Sequence, residues 1–397
     1  MKKLLLSLLK DARQNVPSEP QPCDYPQLHR LAVVHDVTAL VYSQIYQFPD
    51  FPEQMKWAWS RETIKINALQ TMRSSRFLQL YQKLTDAGVT GLVVKGLVLR
   101  SLYPQPENRP SNDEDLYVNE QQFEQASKIF LAEGLRKVVE GKGETTFLDA
   151  SCGLSIELHT ALFYEESKAY GHFQQLFRDA FKQPETHMIQ GVPVKSLSCD
   201  LHLMFLITHL AKHFLVSGVG IRQVLDIVMY SEAYGDRIHW EQVYKELDKV
   251  SLLPLTLNVF AIGHKYLGMD YGKIQLYPDY KKYEDPEALL DDILDAGVFG
   301  KSTQARLHSS AFTVEAASQE KRSRISVLWR HLFLPLADLR ERAGYGYLKE
   351  KPWLLPAAQL HRIIHYMTHR ENQGQEKKMM EMGAQRVELL KKYGMIQ

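Results

Sequence analysis

The sequence predicts an α+β protein in which a mixed segment of strands and helices lies between two helical parts. Up to residue 88 the apolar residues recur three and four positions apart, as on one face of a helix. From residue 89 to 197 short alternating apolar segments favour strands, and after residue 198 the helical spacing returns. A content of 45% hydrophobic and 24% charged residues over 397 positions is typical of globular proteins and excludes a disordered chain or a disulfide-dense mini-protein.

Residues 1–88 are predicted to form an N-terminal helical region. Four of the five leucines between positions 4 and 9 make one apolar stripe, namely Leu4, Leu5, Leu8 and Leu9. The opening segment is therefore predicted to be an amphipathic helix that packs on the body of the protein. Charged residues interrupt this run from Lys10 onward, which makes it too short for a signal peptide. A longer helical pattern begins at residue 53, and Gly88 is placed to end it.

Residues 89–197 are predicted to form an α/β core. The candidate strands are 91–96, 115–118, 145–150, 154–159 and a pair around Gln190-Gly191. A helix is predicted between residues 121 and 134, closed by Gly134. Ser151-Cys152-Gly153 is typical of a hairpin turn.

Residues 198–320 are predicted to form a helical domain, followed by a basic helical extension over residues 321–397. The extension has 15 Lys and Arg against 7 Asp and Glu, so the rest of the chain carries a net charge of −7. Such a tail suits an anionic partner, which is a membrane surface, a nucleic acid or the acidic body of the protein itself, or else it is ordinary solvated helix surface. No apolar run approaches the ~20 residues of a membrane span, and the three cysteines show no close pairing. We therefore expect a soluble, cytoplasmic protein.

Lys95-Gly96 follows a short β-branched run and precedes an apolar helical segment. A glycine at such a junction allows a sharp turn that directs helix N–H groups toward an anion such as a triphosphate. Lys95 would add a positive charge there. The alternative is an ordinary connection between strand and helix.

Three acidic residues are the candidate metal ligands. Asp113 and Asp115 lie two apart, so a strand places both on one face, with Glu114 on the outward face. Two adjacent carboxylates repel each other unless a cation lies between them, and oxygen ligands suit Mg²⁺. Glu157, at the end of a later apolar strand, would complete a two-metal site. The alternative for Asp113 and Asp115 is a solvated turn.

This set of residues resembles the polymerase-β superfamily of nucleotidyltransferases, in particular its "uncharacterised nucleotidyltransferase" branch, in which Lys-Gly replaces Gly-Ser. The residues that carry the resemblance are Lys95, Gly96, Arg109, Asp113, Asp115, Glu157 and His159. It extends into the helical part through His209, His213, Gly220-Ile221-Arg222 and Asp226, and to Leu354-Leu355-Pro356. The resemblance implies a polymerase-β-type core flanked by helices.

The resemblance also implies a reaction, the transfer of a nucleoside monophosphate from an NTP to an acceptor. Asp113 and Asp115 would bind two Mg²⁺, with Mn²⁺ as an alternative, and Glu157 would ligate one metal and activate the attacking hydroxyl. Lys95 and Gly96 would hold the nucleotide phosphates. Arg109 would offset charge on the transferring group.

Three histidines, and a pair of oppositely charged residues four positions apart, each have two interpretations. His159 either belongs to the active site or caps the edge of a strand by hydrogen bonding. His209 and His213 share a helix face and are either buried, hydrogen-bonded residues or part of the acceptor side of the cleft. Arg222 and Asp226 either line that side or form an ion pair along one helix.

The identity of the acceptor separates the functional hypotheses. A small molecule or sugar-like metabolite is favoured, because the body is acidic and the sequence has no visible RNA-binding motif. The alternatives are transfer to a tRNA end or a protein, with the basic tail as the docking surface, and a nucleotide-binding scaffold without catalysis. The aromatic and basic stretch 325–348 is predicted to be a packed helix or a surface for a membrane or nucleic acid.

Overall fold

The computed structural model describes residues 1–141, 143–297, 313, 317, 352–356, 358–359 and 370–396. The predictions for stretch 325–348 and for most of the basic extension therefore lie outside the described residues. The division of the chain at residues 88, 197 and 320 stays a prediction.

Four helices open the chain, as the apolar spacing predicts. They are α1 (Lys2–Gln14), α2 (Tyr25–Val34), α3 (Thr38–Ile45) and α4 (Glu53–Asp86). The leucine stripe of α1 is buried, which confirms that the opening segment packs on the body. Gly88 adopts a φ of +81° just after α4, a conformation that favours glycine and turns the chain into the first strand.

The α/β part contains a five-stranded sheet and a separate two-stranded hairpin. Its elements in chain order are β1 (Gly91–Val93), α5 (Gly96–Arg100), β2 (Asp113–Val118), α6 (Glu120–Ala132), β3 (Arg136–Gly141), β4 (Glu144–Asp149), β5 (Leu154–His159), β6 (Glu185–Ile189) and β7 (Val192–Ser196). The order in the sheet is β1-β2-β5-β4-β3, with β2 and β5 parallel and the other pairs antiparallel. The predicted hairpins β4–β5 and β6–β7 are both present.

Strand β3 is the element of this sheet that the sequence pattern did not predict. All its residues are exposed at the sheet edge, so it has none of the apolar alternation by which a half-buried strand is recognised. Backbone pairing with β4 holds it in place.

The pleat of β2 divides its side chains between the two faces of the sheet. Leu116 and Val118 join a hydrophobic cluster with the end of α4, with α6 and with Ile156 and Leu158 of β5. Tyr117 belongs to the other large cluster, on the opposite face. Asp113 and Asp115 alternate with Leu116 and so share the face of Tyr117.

Helices cover this second face. They are α7 (Cys199–Val216), α8 (Ile221–Ala233), α9 (Trp240–Lys249), α10 (Leu253–Leu267), α11 (Glu287–Ala296) and α12 (Arg370–Lys392). The first five lie in the region predicted to be a helical domain and share one hydrophobic cluster with α1 to α3, and α12 lies in the extension predicted to be basic and helical. Within the described part of the chain, α7 alone is long and apolar enough to cross a bilayer, and 67% of that stretch is buried, as in a core helix.

Candidate active site

The carboxylates predicted as metal ligands converge where β2 and β5 run side by side. The parallel register places Asp115 opposite Glu157 and Tyr117 opposite His159. Because residues two apart on a strand share a face, Asp113, Asp115, Glu157 and His159 all lie on the face covered by helices. The solvated-turn alternative is wrong for Asp115, which lies within a strand and is 3% exposed.

Lys95 lies between the two aspartates of β2. Its Nζ is 2.9 Å from Oδ2 of Asp115 and 3.5 Å from Oδ2 of Asp113. Burial would lower the pKa of this ammonium, but the three nearby carboxylates outweigh that effect and raise it well above its usual range. Lys95 is therefore positively charged at neutral pH and partly neutralises the carboxylates.

His159 contacts two of the same carboxylates. Its Nε2 is 3.2 Å from Oδ1 of Asp115 and 3.6 Å from Oε2 of Glu157. Burial lowers the pKa of the imidazole, but the hydrogen bond with Asp115 and the nearby carboxylates of Glu157 and Glu144 raise it overall to about 9. His159 is the last residue of β5, which lies inside the sheet, and it hydrogen-bonds to Asp115 on the neighbouring strand β2, so the choice between a capping and an active-site role stays a prediction.

The charges in this cluster act differently on the carboxylates of Asp115 and Glu157. Burial would raise the pKa of Asp115, but Lys95 and His159 together lower it well below its usual range. Glu157 has its pKa raised, by burial first and then by the negative charge of Asp115 and Asp113, against the opposing effect of His159. Glu157 is therefore the better proton acceptor of the two.

Glu114 does not point outward as the sequence interpretation placed it. It is 1% exposed, on the face of Leu116 and Val118, where its Oε2 accepts from the backbone N–H of Leu97 at 2.8 Å. Its Oε1 accepts from Arg100 at 2.6 Å. Period-two alternation with Leu116 and Val118 was the sequence signal that would have placed it inward.

The turn at Gly96 is shaped by this glutamate. Gly96 has a φ of +41°, and a Cβ on it would lie 2.0 Å from Oε2 of Glu114, so a glycine is required. Because Leu97 already donates its N–H to Glu114, that donor of the turn is satisfied inside the protein. The part of this turn that faces Asp113 and Asp115 on β2 is the side chain of Lys95.

Arg109 is held by a carboxylate of the helical part. Its Nε and Nη2 each lie 2.8 Å from an oxygen of Asp226 on α8, and Tyr103 donates its hydroxyl to the same carboxylate at 2.8 Å. Burial raises the pKa of Asp226, but Arg109 outweighs it and keeps the residue ionised. Arg222 lies 3.8 Å from Asp36. The ion pair predicted along α8 between Arg222 and Asp226 is therefore replaced by two ion pairs, Arg109–Asp226 and Arg222–Asp36.

His209 and His213 form a hydrogen-bonded pair on α7, with 3.2 Å between their Nε2 atoms. Burial, reinforced by Lys95, lowers the pKa of both imidazoles, that of His213 to about 3. Both side chains are half-buried and hydrogen-bonded to each other, and their role on the acceptor side stays a prediction. His209 also lines a cavity that reaches from Lys95 and Asp113 to Arg222 and Asp226, so the structure brings three of the predicted acceptor-side residues to one cleft, whereas His159 and His213 do not line it.

The sequence was compared with known proteins and families. The family model described as "Uncharacterised nucleotidyltransferase" matches residues 21–268. A search of curated proteins found no match. Among solved structures, the chain is similar to an antigenic nucleotidyltransferase-like protein from Paracoccidioides brasiliensis, at 18% identity and a TM-score of 0.26, over 40% of this chain and 75% of that chain. That superposition is too loose to carry an argument. The family match spans more than half of the sequence and includes every residue of the site, and on that ground the chain belongs to the uncharacterised nucleotidyltransferase family.

Proposed function

We propose that this protein is a Mg²⁺-dependent nucleotidyltransferase with a polymerase-β-type core, which transfers a nucleoside monophosphate from an NTP to a hydroxyl of a small, sugar-like acceptor. The observation that carries the proposal is the meeting of Asp113, Asp115 and Glu157 on one face of two parallel strands, next to Lys95. Membership of a nucleotidyltransferase family supports the general reaction.

The residues fit a divalent cation. Oδ2 of Asp115 is buried and accepts no well-formed hydrogen bond from the described residues, and it faces only the ammonium of Lys95. The raised pKa of Glu157 reflects burial and negative charge that its surroundings leave uncompensated. Three carboxylates suit Mg²⁺, and His159 beside Asp115 and Glu157 would also suit Mn²⁺. When bound, the cation would neutralise the carboxylates and stabilise charge on the transferring phosphoryl group.

The remaining catalytic roles would be filled by side chains of the protein. Glu157 takes the proton of the acceptor hydroxyl, whose oxygen attacks the α-phosphorus of the NTP. The bond from that phosphorus to the bridging oxygen breaks, and pyrophosphate leaves with that oxygen and its electron pair. Lys95 supplies positive charge to the phosphates, and Asp226 fixes Arg109 at the wall of the cleft.

A thermal-shift panel tests this proposal. ATP, GTP, CTP and UTP are each added with and without Mg²⁺ to the wild type, to Asp113→Asn/Asp115→Asn and to the control Asp291→Asn, which changes an exposed carboxylate of α11. An NTP at ~100 times its Kd should stabilise the protein by about 2.7 kcal/mol. We expect this for at least one NTP, only with Mg²⁺, and only in the wild type and the control. Equal stabilisation of the double variant, or none in any protein, would favour the non-catalytic scaffold.

A further inference from the structure

The cavity beside the carboxylates is small and lined mainly by polar and charged residues. It has a volume of about 70 Å³ and lies between the Lys95 turn, the start of β2 and the facing helices α7 and α8. At roughly 10–15 Å³ for each water, this volume holds about five waters. Its enclosed part therefore accommodates a single phosphate-sized group.

The cations that line this cavity differ in how well they are paired. Lys95 is 2.9 Å from Asp115, and Arg109 makes two hydrogen bonds to Asp226. Among the described residues Arg222 has one carboxylate within ion-pair distance, that of Asp36 at 3.8 Å, beyond hydrogen-bond distance. Arg222 also interacts electrostatically with Asp226, whose main partner is Arg109. Its Nε is buried and has no hydrogen-bond partner in the same part of the chain. Among the cations that line this cavity, Arg222 is thus the one whose charge is least compensated by carboxylates.

The other groups that line the cavity do not neutralise the charge of Arg222. His209 is neutral at pH 7, because burial and the charge of Lys95 lower its pKa far below its usual value. The carboxylate of Asp226 is already shared by Arg109 and Tyr103. Gln223 accepts from the N–H of Gly220 through Oε1 at 2.9 Å, so the NH₂ group of its amide is the end that can donate.

We propose that Arg222, together with Gln223, forms an anion subsite that binds a phosphate-type group of a reacting ligand. A guanidinium has a planar set of donors that matches phosphate oxygens, and buried charge-assisted hydrogen bonds are the strong ones. The group comes either from the NTP's own β- or γ-phosphate or from an anionic substituent on the acceptor. Naming these two sources rests on the proposed function, whereas the subsite itself rests on the cavity and on Arg222.

Inorganic phosphate is the first probe of the subsite. Its binding is measured by calorimetry at constant ionic strength, set with KCl, for the wild type, Arg222→Gln, Arg222→Lys and the control Arg30→Gln, which changes an exposed arginine. Loss of charged hydrogen bonds should weaken phosphate binding about ten- to a hundredfold in Arg222→Gln. Arg222→Lys keeps the charge and should retain part of the affinity. Phosphate affinity in Arg222→Gln equal to that in Arg30→Gln, with both proteins folded, would overturn the subsite.

A second arm distinguishes the two sources of the anion. If the subsite takes a phosphate of the NTP, Arg222→Gln weakens NTP binding and a saturating NTP prevents phosphate binding. If the subsite takes an anionic group of the acceptor, NTP binding by Arg222→Gln stays at the wild-type level, and phosphate still binds to the NTP-loaded wild type. Phosphate binding that depends on Arg222 in a protein that binds no NTP would keep the subsite and refute the proposed function.

Discussion

Replacing Arg109 by Met is expected to lower the free energy of unfolding by about 3–5 kcal/mol, because it leaves the carboxylate of Asp226 buried without its cation. Asp226 is 4% exposed and its charge is compensated mainly by the two hydrogen bonds from Arg109. This pair joins the connection before β2 to helix α8. The loss of stability is therefore expected to loosen the wall of the cleft as well.

Urea unfolding of a double-mutant cycle measures this effect. Arg109→Met/Asp226→Leu removes both charges and should recover much of the stability lost in the single variant. Tyr103→Phe is the matched control, since it removes one neutral donor from the same carboxylate and should cost about 1 kcal/mol. A single variant Arg109→Met within 1 kcal/mol of the wild type would show that the pair is not needed for stability.

Replacing Asp115 by Asn is expected to lower the catalytic efficiency about a thousandfold or more, since loss of a metal-binding carboxylate removes several kcal/mol of stabilisation from the transition state. The substitution keeps the shape of the side chain but removes the charge that faces Lys95 and His159. Pyrophosphate release is the readout, with the NTP identified by thermal shift and a pool of hydroxyl compounds as acceptors.

Asp291→Asn, on the exposed face of α11, is the control for this loss and should release pyrophosphate at the wild-type rate. Thermal unfolding of Asp115→Asn is recorded in parallel, so that a loss of activity is interpreted only for folded protein. Pyrophosphate release by folded Asp115→Asn at the wild-type rate would contradict the role of this carboxylate.

Much of the candidate site can be predicted from the pattern of residues in short segments of the sequence. Lys95-Gly96 at a strand-to-helix turn and the alternation of Asp113 and Asp115 along a strand are properties of short segments. The pairing of Asp115 with Glu157 needed a further inference, that two strands 42 residues apart are neighbours, and the parallel register of β2 and β5 places them so. Ile156 and Leu158, on either side of Glu157, are both fully buried on the opposite face of the strand, as period-two alternation requires.

The partners of the buried charges could not be predicted in the same way. Arg109 and Asp226 are 117 residues apart, and only the packing of α8 against the connection before β2 brings them together. An i,i+4 spacing made Arg222 the apparent partner of Asp226, but the buried carboxylate is better satisfied by two hydrogen bonds from Arg109. Glu114 was misplaced for a different reason, since an acidic residue on the core face of a strand requires a buried partner, Arg100, that the pattern alone does not reveal.

Binding of Mn²⁺, followed by electron paramagnetic resonance in the presence of the stabilising NTP, tests the central claim most directly. We expect the wild type and Asp291→Asn to bind about two Mn²⁺ per chain, and Asp113→Asn/Asp115→Asn to lose this binding while remaining folded. Equal uptake of Mn²⁺ by the double variant and the wild type would show that the carboxylates of β2 do not form the metal centre.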